Sequence, residues 1–312
     1  APGKSGAPGQ PLRFAAYPGE TVTLSGAEPL TGAWVVHQGN IYRLPTSPAF
    51  TQLFVDGQMM PEARWPNTPP GDLMGYRRAT AGEGTGYEVL ADPNLPPGDW
   101  NGGVVWLWPG QRWASTSRRI ADYQPGKSFR FDVTTEAKTK DKFHAEDPYK
   151  PRAGNPYLLM GSLAGLDSPG EWFRDPASGA VYLWTPDGQS PAAHRVEVKQ
   201  RDYAVDLSKL AYVEVSGCDV LGAAVNMADS QHCLLENARL RYVEHVRETE
   251  AGKLPPVRNV ITGRDNEWRR CLIYGAATCG LQLAGENNRL LNSIVRDVNY
   301  VGSFRGGLDL SR

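Results

Sequence analysis

The sequence predicts an all-β chain whose last third is a β-solenoid, and three observations carry that expectation. The first is a repeat. Val215-Ser-Gly-Cys-Asp-Val220, Leu235-Glu-Asn-Ala-Arg-Leu240, Trp268-Arg-Arg-Cys-Leu-Ile273 and Leu290-Leu-Asn-Ser-Ile-Val295 can be laid over one another. Apolar residues bracket each segment, and a small residue holds the fourth place: Cys218, Ala238, Cys271 and Ser293, at spacings of 20, 33 and 22. That period is too short for a helix pair. With its two-residue alternation it fits short strands stacked coil on coil, the small residues forming a ladder inside. The second observation is composition: Gly 34 and Pro 25 make about a fifth of the 312 residues, with no long helical pattern, which points to strands and tight turns. The third is an interruption, since residues 33 to 202 do not keep the coil period.

Taken in order, residues 1–32 read as the end of one coil and the start of another. Leu12-x-Phe14 and Val22-x-Leu24 flank the turn Tyr17-Pro18-Gly19-Glu20. Residues 33–202 read as a β-rich inserted module with its own aromatic core, holding seven of the nine tryptophans between Trp65 and Trp184. Its strand signals are Gln52–Gln58 around Asp56-Gly57, Gly103–Trp108, Ser128–Val133 and Ala180–Trp184. The mixed-charge stretch Glu136–Arg152 reads as a solvated loop. From 203 to 312 the coils resume and are incomplete at the C-terminus. One interval is longer than its neighbours, the excess falling in Arg247–Pro256, and insertions in solenoids map to loops on one face.

The net charge of -1 gives no electrostatic footprint for nucleic acid or an anionic membrane, and no apolar run is long enough for a membrane span. All four cysteines lie in the coils. Cys218 and Cys271 stand two coils apart, roughly 10 Å, beyond disulfide reach, so they read as small apolar fillers. No zinc spacing, P-loop or dinucleotide fingerprint occurs. No cofactor is expected, with calcium the open alternative.

A second strand of apolar–x–apolar form follows the ladder segments: Val225-Asn-Met227, Leu281-Gln-Leu283 and Leu308-Asp-Leu310, with Val260 at the same place in the long coil. Side chains alternate across a strand, so Asn226, Gln282 and Asp309 form an outward polar row. Such a row suits a polar polymer and equally describes a solvated surface. Asp309 is the candidate catalytic residue. Equivalent positions on adjacent coils lie ~4.8 Å apart, close to the ~5–5.5 Å between the carboxyls of a retaining glycosidase. Gln282 on the preceding coil cannot serve as acid or nucleophile, and a partner carboxylate is expected one coil beyond Asp309. A structural or calcium-binding aspartate is the competing reading. Candidate substrate-binding residues besides Gln282 and Asn226 are Glu244 and His245, Asp297 with Asn299 at the matching coil exit, and Arg305, suited to an anionic sugar. Asp265-Asn266 and Asn287-Asn288 read as turn residues bonding to backbone.

Ala15–Glu20, Leu53–Asn67, Pro169–Pro176 and Gly179–Trp184, followed by the coils, resemble bacterial right-handed parallel β-helix proteins of the pectate-lyase-like superfamily. The likeness is to its glycoside hydrolases of the β-xylosidase and fucosidase/xylanase type. It spans nearly the whole chain and implies a right-handed parallel β-helix interrupted by a β-sandwich-like insert. It further implies a secreted or periplasmic bacterial enzyme that hydrolyses glycosidic bonds of a polysaccharide or oligosaccharide with paired carboxylates on adjacent coils. The catalytic carboxylates of such enzymes come from later coils, so the chain reads as a piece of something longer. A polysaccharide lyase using Arg305, His245 and Lys253 on a uronate glycan is one alternative. A non-catalytic glycan-binding or surface structural protein is another.

Overall fold

The computed structural model describes residues 2–69, 72, 78–131, 148–248 and 256–311, and among them it is all-β, with no α-helix. Fifteen strands make three five-stranded parallel sheets. The first sheet holds Leu12–Ala15, Val213–Ser216, Leu234–Glu236, Glu267–Arg269 and Arg289–Leu291. The second holds Val22–Ser25, Cys218–Leu221, Arg239–Glu244, Leu272–Ala276 and Ile294–Val298. The third holds Tyr203–Asp206, Ala224–Gln231, Val260–Arg264, Leu281–Leu283 and Leu308–Leu310. The chain visits the three sheets in that order and returns to the first one strand further along, making five rounds.

The repeat overlay is the literal register. Val215 pairs with Leu235, Leu235 with Trp268 and Trp268 with Leu290 in the first sheet. Val220, Leu240, Ile273 and Val295 do the same in the second. The corner between these sheets rests on the third residue of each segment, which is left-handed in all four: Gly217 (φ 71°), Asn237 (50°), Arg270 (54°) and Asn292 (47°). Gly and Asn adopt that conformation most cheaply. The bonds between rounds continue through the corner, Gly217 N donating to Glu236 O (3.0 Å) and Asn237 N to Arg269 O (3.1 Å). Just past the corner, Cys218, Ala238 and Cys271 are buried, and all four cysteines are free thiols. The interior also closes on Trp268, which is 0% exposed.

The first two strands differ from expectation: Leu12–Ala15 and Val22–Ser25 open the first and second sheets of one and the same round. The break from the parallel sheets falls at Gly26 rather than after residue 32, because Ala27–Pro29 already pairs antiparallel with Val196–Lys199. Between Gly26 and Tyr203 the chain builds a seven-stranded antiparallel sheet and two four-stranded ones. In one of these, Leu53–Val55 and Gln58–Met60 join through Asp56-Gly57 (φ 51° and 77°), the two-residue turn that sequence favours.

This insert takes the place of the connection from the second to the third sheet in the first round. The long connection of the third round and residues 299–307 of the fifth occupy the same link, so every enlargement of the rounds gathers at one edge. There Phe54, Trp106, Trp108, Leu158 and Met160 of the insert pack on Leu221, Tyr242, Ala277, Tyr300 and Val301 of the rounds. Gly222 (φ 63°) sits in that contact, where a Cβ would come 2.9 Å from the Phe54 ring.

Candidate functional site

The polar row exists in register on the third sheet: Asp206, Asn226, Val260, Gln282 and Asp309 are successive partners, each half-exposed. Asp206 stands in the same apolar–x–apolar frame, Val205-Asp-Leu207, so its signal was present in the sequence and went unread. Asn226 Nδ2 donates to Asp206 Oδ1 (3.1 Å), and Gln282 Nε2 donates to Ser311 Oγ (3.3 Å). The apolar brackets are buried at Val225, Met227 and Leu281, whereas Leu308 and Leu310 on the outermost strand are exposed. Asp309 is held in an ion pair by Arg305 Nη1, the two side chains being 24% and 18% exposed.

Asn299 (φ 57°) ties the loop that carries Arg305. Its Oδ1 accepts from Ser303 N and Oγ, both at 2.8 Å, and its Nδ2 donates to Ser303 O (3.1 Å) and Arg305 O (3.0 Å). This clamp presents Phe304, 47% exposed, beside the Arg305–Asp309 pair. The insert comes to meet it: Ser115 N donates to Gly302 O (2.8 Å), and the Phe304, Tyr149 and Trp113 rings follow edge to face at 6.3 and 5.9 Å. Trp113 is 46% exposed. A carboxylate, a guanidinium and three aromatic rings thus share one edge. Sequence reasoning missed Trp113 and Tyr149, since nothing local marks which insert aromatics reach residues some 150 positions away.

The second expected set is placed elsewhere. Glu244 does not face a cleft: it is buried, and its Oε1 accepts from Thr278 N (3.2 Å) and from Thr278 Oγ1. Burial raises its pKa above the usual carboxylate range. It was expected at a surface because it ends the second-sheet strand, yet the insert packs over that strand end. Beside it Lys199 Nζ donates to Gly222 O (2.8 Å), and burial lowers its pKa to about 8. His245 stacks on Tyr300 and shares a 2.7 Å hydrogen bond through Nδ1 with its hydroxyl. Burial brings the His245 pKa down to about 4, so it is neutral at pH 7. His245 and Tyr300 line a small cavity of about 80 Å³ with Gln52, Glu62, Trp106 and Trp172. Asp297 (φ 51°) points outward in a pair with Arg296.

Of the groups a lyase would use, Arg305 is engaged by Asp309, His245 lies in the junction cavity, and Lys253 lies outside the described residues, as do 136–147 of the expected solvated loop. Asn266 and Asn288 bond to backbone as expected: Asn266 Oδ1 accepts from Cys233 N (3.0 Å), and Asn288 Nδ2 donates to Gly263 O (3.1 Å). Among the described residues no group of three or more His, Cys, Asp or Glu gathers as a metal set, and no helix is long and apolar enough to cross a membrane.

In three dimensions the chain is similar to a solved structure named "Glycoside hydrolase", with a TM-score of 0.64 and 14% identity over 95% of this chain and 63% of that one. A second similar structure, "The complex structure of XylC with xylose", superposes with a TM-score of 0.40 at 14% identity, covering 99% of this chain and 49% of that one. The chain therefore spans less than two thirds of either. No family model matches it, and no curated protein matches it in sequence. At such identity the first likeness speaks for the fold, and the chemistry rests on this chain's own residues.

Proposed function

We propose that the three parallel sheets wind as a right-handed parallel β-helix and that the chain is part of an exported carbohydrate-active enzyme that hydrolyses glycosidic bonds. The observation that carries this reading is the edge where Asp309 and Arg305 stand beside exposed Phe304 and Trp113. A sugar ring has apolar C–H faces that pack on aromatic rings and hydroxyls that bond to carboxylate and guanidinium, so it needs both kinds of group together. The row's spacing supports the chemistry: a carboxylate one round from Asp309 would stand close to the retaining separation of ~5–5.5 Å. Gln282 leaves that role to the other side of Asp309. Secretion to the periplasm or medium follows from a polymeric substrate.

The test is sugar release from polysaccharides and aryl glycosides by the full-length protein. Asp309→Asn is expected to lower kcat by about 10²-fold or more, the range of a lost acid–base or nucleophilic group, with the melting temperature unchanged. An unaltered rate removes Asp309 from the chemistry, and absence of any sugar release removes the hydrolase. The Arg305–Asp309 pair itself favours one second reading, glycan binding without turnover, since the carboxylate is already engaged. Binding by full-length protein that never releases sugar would decide for it.

A further inference from the structure

We propose that the insert loops 109–113 and 148–155 form a docking face for an acidic polysaccharide, an inference that rests on the glycan reading above and adds the charge of the glycan. The two loops are built as one unit. Gly110 (φ 52°) lies so close to Pro148 that a Cβ would meet its carbonyl oxygen at 1.9 Å, and Gln111 N donates to that same oxygen (2.8 Å). Buried Asn155 accepts from Gly110 N (2.9 Å). Two arginines then brace the pair crosswise: Arg112 donates to Gly154 O (2.8 Å) and Arg152 to Gly110 O (3.2 Å).

Both braces end on neutral carbonyls, which leave the arginine charges in place. Arg112, Lys150 and Arg152 are all exposed, and none meets a carboxylate among the described residues. Two described acids are paired elsewhere, Glu88 facing Arg130 at 3.7 Å and Asp309 held by Arg305. Lys150 Nζ sits 5.8 Å from the centre of the Tyr87 ring, and the same loops carry Trp113 and Tyr149, with Phe304 beyond. Three cations that meet no carboxylate among the described residues, interleaved with aromatic rings on a chain of net charge -1, are a local feature and not a general basicity. A neutral glycan would use the rings alone. An acidic one uses both, its sugar faces on the rings and its carboxylates or sulfates on the cations. Nucleic acid would call for a longer basic track than three charges provide.

The experiment measures binding of the intact chain to polygalacturonate and to dextran sulfate, with neutral xylan and dextran as controls, at about 50 and about 200 mM salt. Acidic polymers are expected to bind about tenfold or more tightly than neutral ones and to weaken several-fold at the higher salt. Preference between the two acidic polymers assigns the anionic group as carboxylate or sulfate, and either supports the proposal. Lys150→Glu, which disturbs no hydrogen bond, is expected to weaken acidic binding by about tenfold while Lys150→Arg retains it, both with unchanged melting temperature. Equal, salt-insensitive binding of neutral glycans overturns the acidic assignment and leaves the glycan reading standing. Failure to bind any glycan overturns both. An oligonucleotide bound more tightly than either acidic glycan overturns it as well.

Discussion

The stacked rounds and the antiparallel insert bury their apolar residues by opposite routes. In the rounds every core position has a counterpart one round away, so Val215, Leu235, Trp268 and Leu290 share one environment four times over. In the insert no position has a counterpart. Leu90, Trp100, Phe129 and Tyr157 meet once, through strands that cross at antiparallel turns. Repetition makes a scaffold but supplies no special site, because each outward position is also repeated. The groups that differ from their neighbours lie where repetition fails: Phe304 and Arg305 in an enlarged connection, Trp113 and Tyr149 in the insert that replaces another. What the rounds contribute is a fixed edge on which these unlike pieces meet.

The comparison breaks most visibly at Trp268, the bulkiest and most deeply buried member of its column. Truncation to Ala removes a fully buried indole, whose Nε1 donates to Met227 Sδ at 3.2 Å, and is expected to cost about 3–5 kcal/mol. Thermal melting followed at the insert tryptophans should shift with the rounds in a single transition, because Phe54 and Trp106 are packed on Leu221 and Tyr242. Two separated transitions would show that the rounds and the insert fold as independent units.

Acid–base behaviour sharpens the contrast from the insert's side. Glu171 is fully buried, its oxygens accepting from the backbone N–H of Arg64 (3.4 Å), Asp167 (3.3 Å) and Ser168, and burial raises its pKa from 4.5 to about 8. The unfolded chain gives up this proton first, so the stabilising contribution of the neutral acid is fully present below pH 4.5 and is lost as pH rises towards 8. Glu171→Gln keeps one acceptor and carries no proton. It should flatten the decline and gain on the order of a few kcal/mol over the native protein at pH 8. His245 works the other way at the junction. The unfolded imidazole takes a proton near 6.5 and the folded one only near 4, so stability falls on acidification across that window. Denaturant melts of both proteins at pH 5 to 8 check the sign, and a parallel decline in the Gln variant would rule Glu171 out as its source.

How much of this was legible follows the same division. The register of the first and second sheets, the small residues past the corner and the row ending at Asp309 could be read because one residue can be checked against three others. Asp56-Gly57 was legible as a turn because its signal is local. The pairing of Ala27–Pro29 with Val196–Lys199, the burial of Glu244 and the meeting of Tyr149 with Phe304 were not, since each depends on packing between segments far apart in sequence with no repeat to compare. Even within the rounds one signal passed unnoticed: the left-handed corner at the third place of each segment. Gly217, Asn237 and Asn292 announce it, but Arg270 in the same column conceals it.

That corner offers the smallest and most local test. Asn237 holds φ 50° and its Oδ1 accepts from Arg270 Nε at 2.9 Å, the guanidinium also reaching Glu236. Ala at this position must keep the left-handed backbone without a side chain suited to it, at about 1–2 kcal/mol, and leaves Arg270 one acceptor short. Gly removes the conformational strain while losing the same acceptor, so Asn237→Gly should be the milder change despite being the larger loss of side chain. Should Gly prove the more damaging in thermal melts, the Asn237–Arg270–Glu236 stack holds the corner, and the left-handed geometry is secondary. If Ala is worse, the backbone conformation is what the column selects, and Arg270 persists there because its side chain bonds back to the round before.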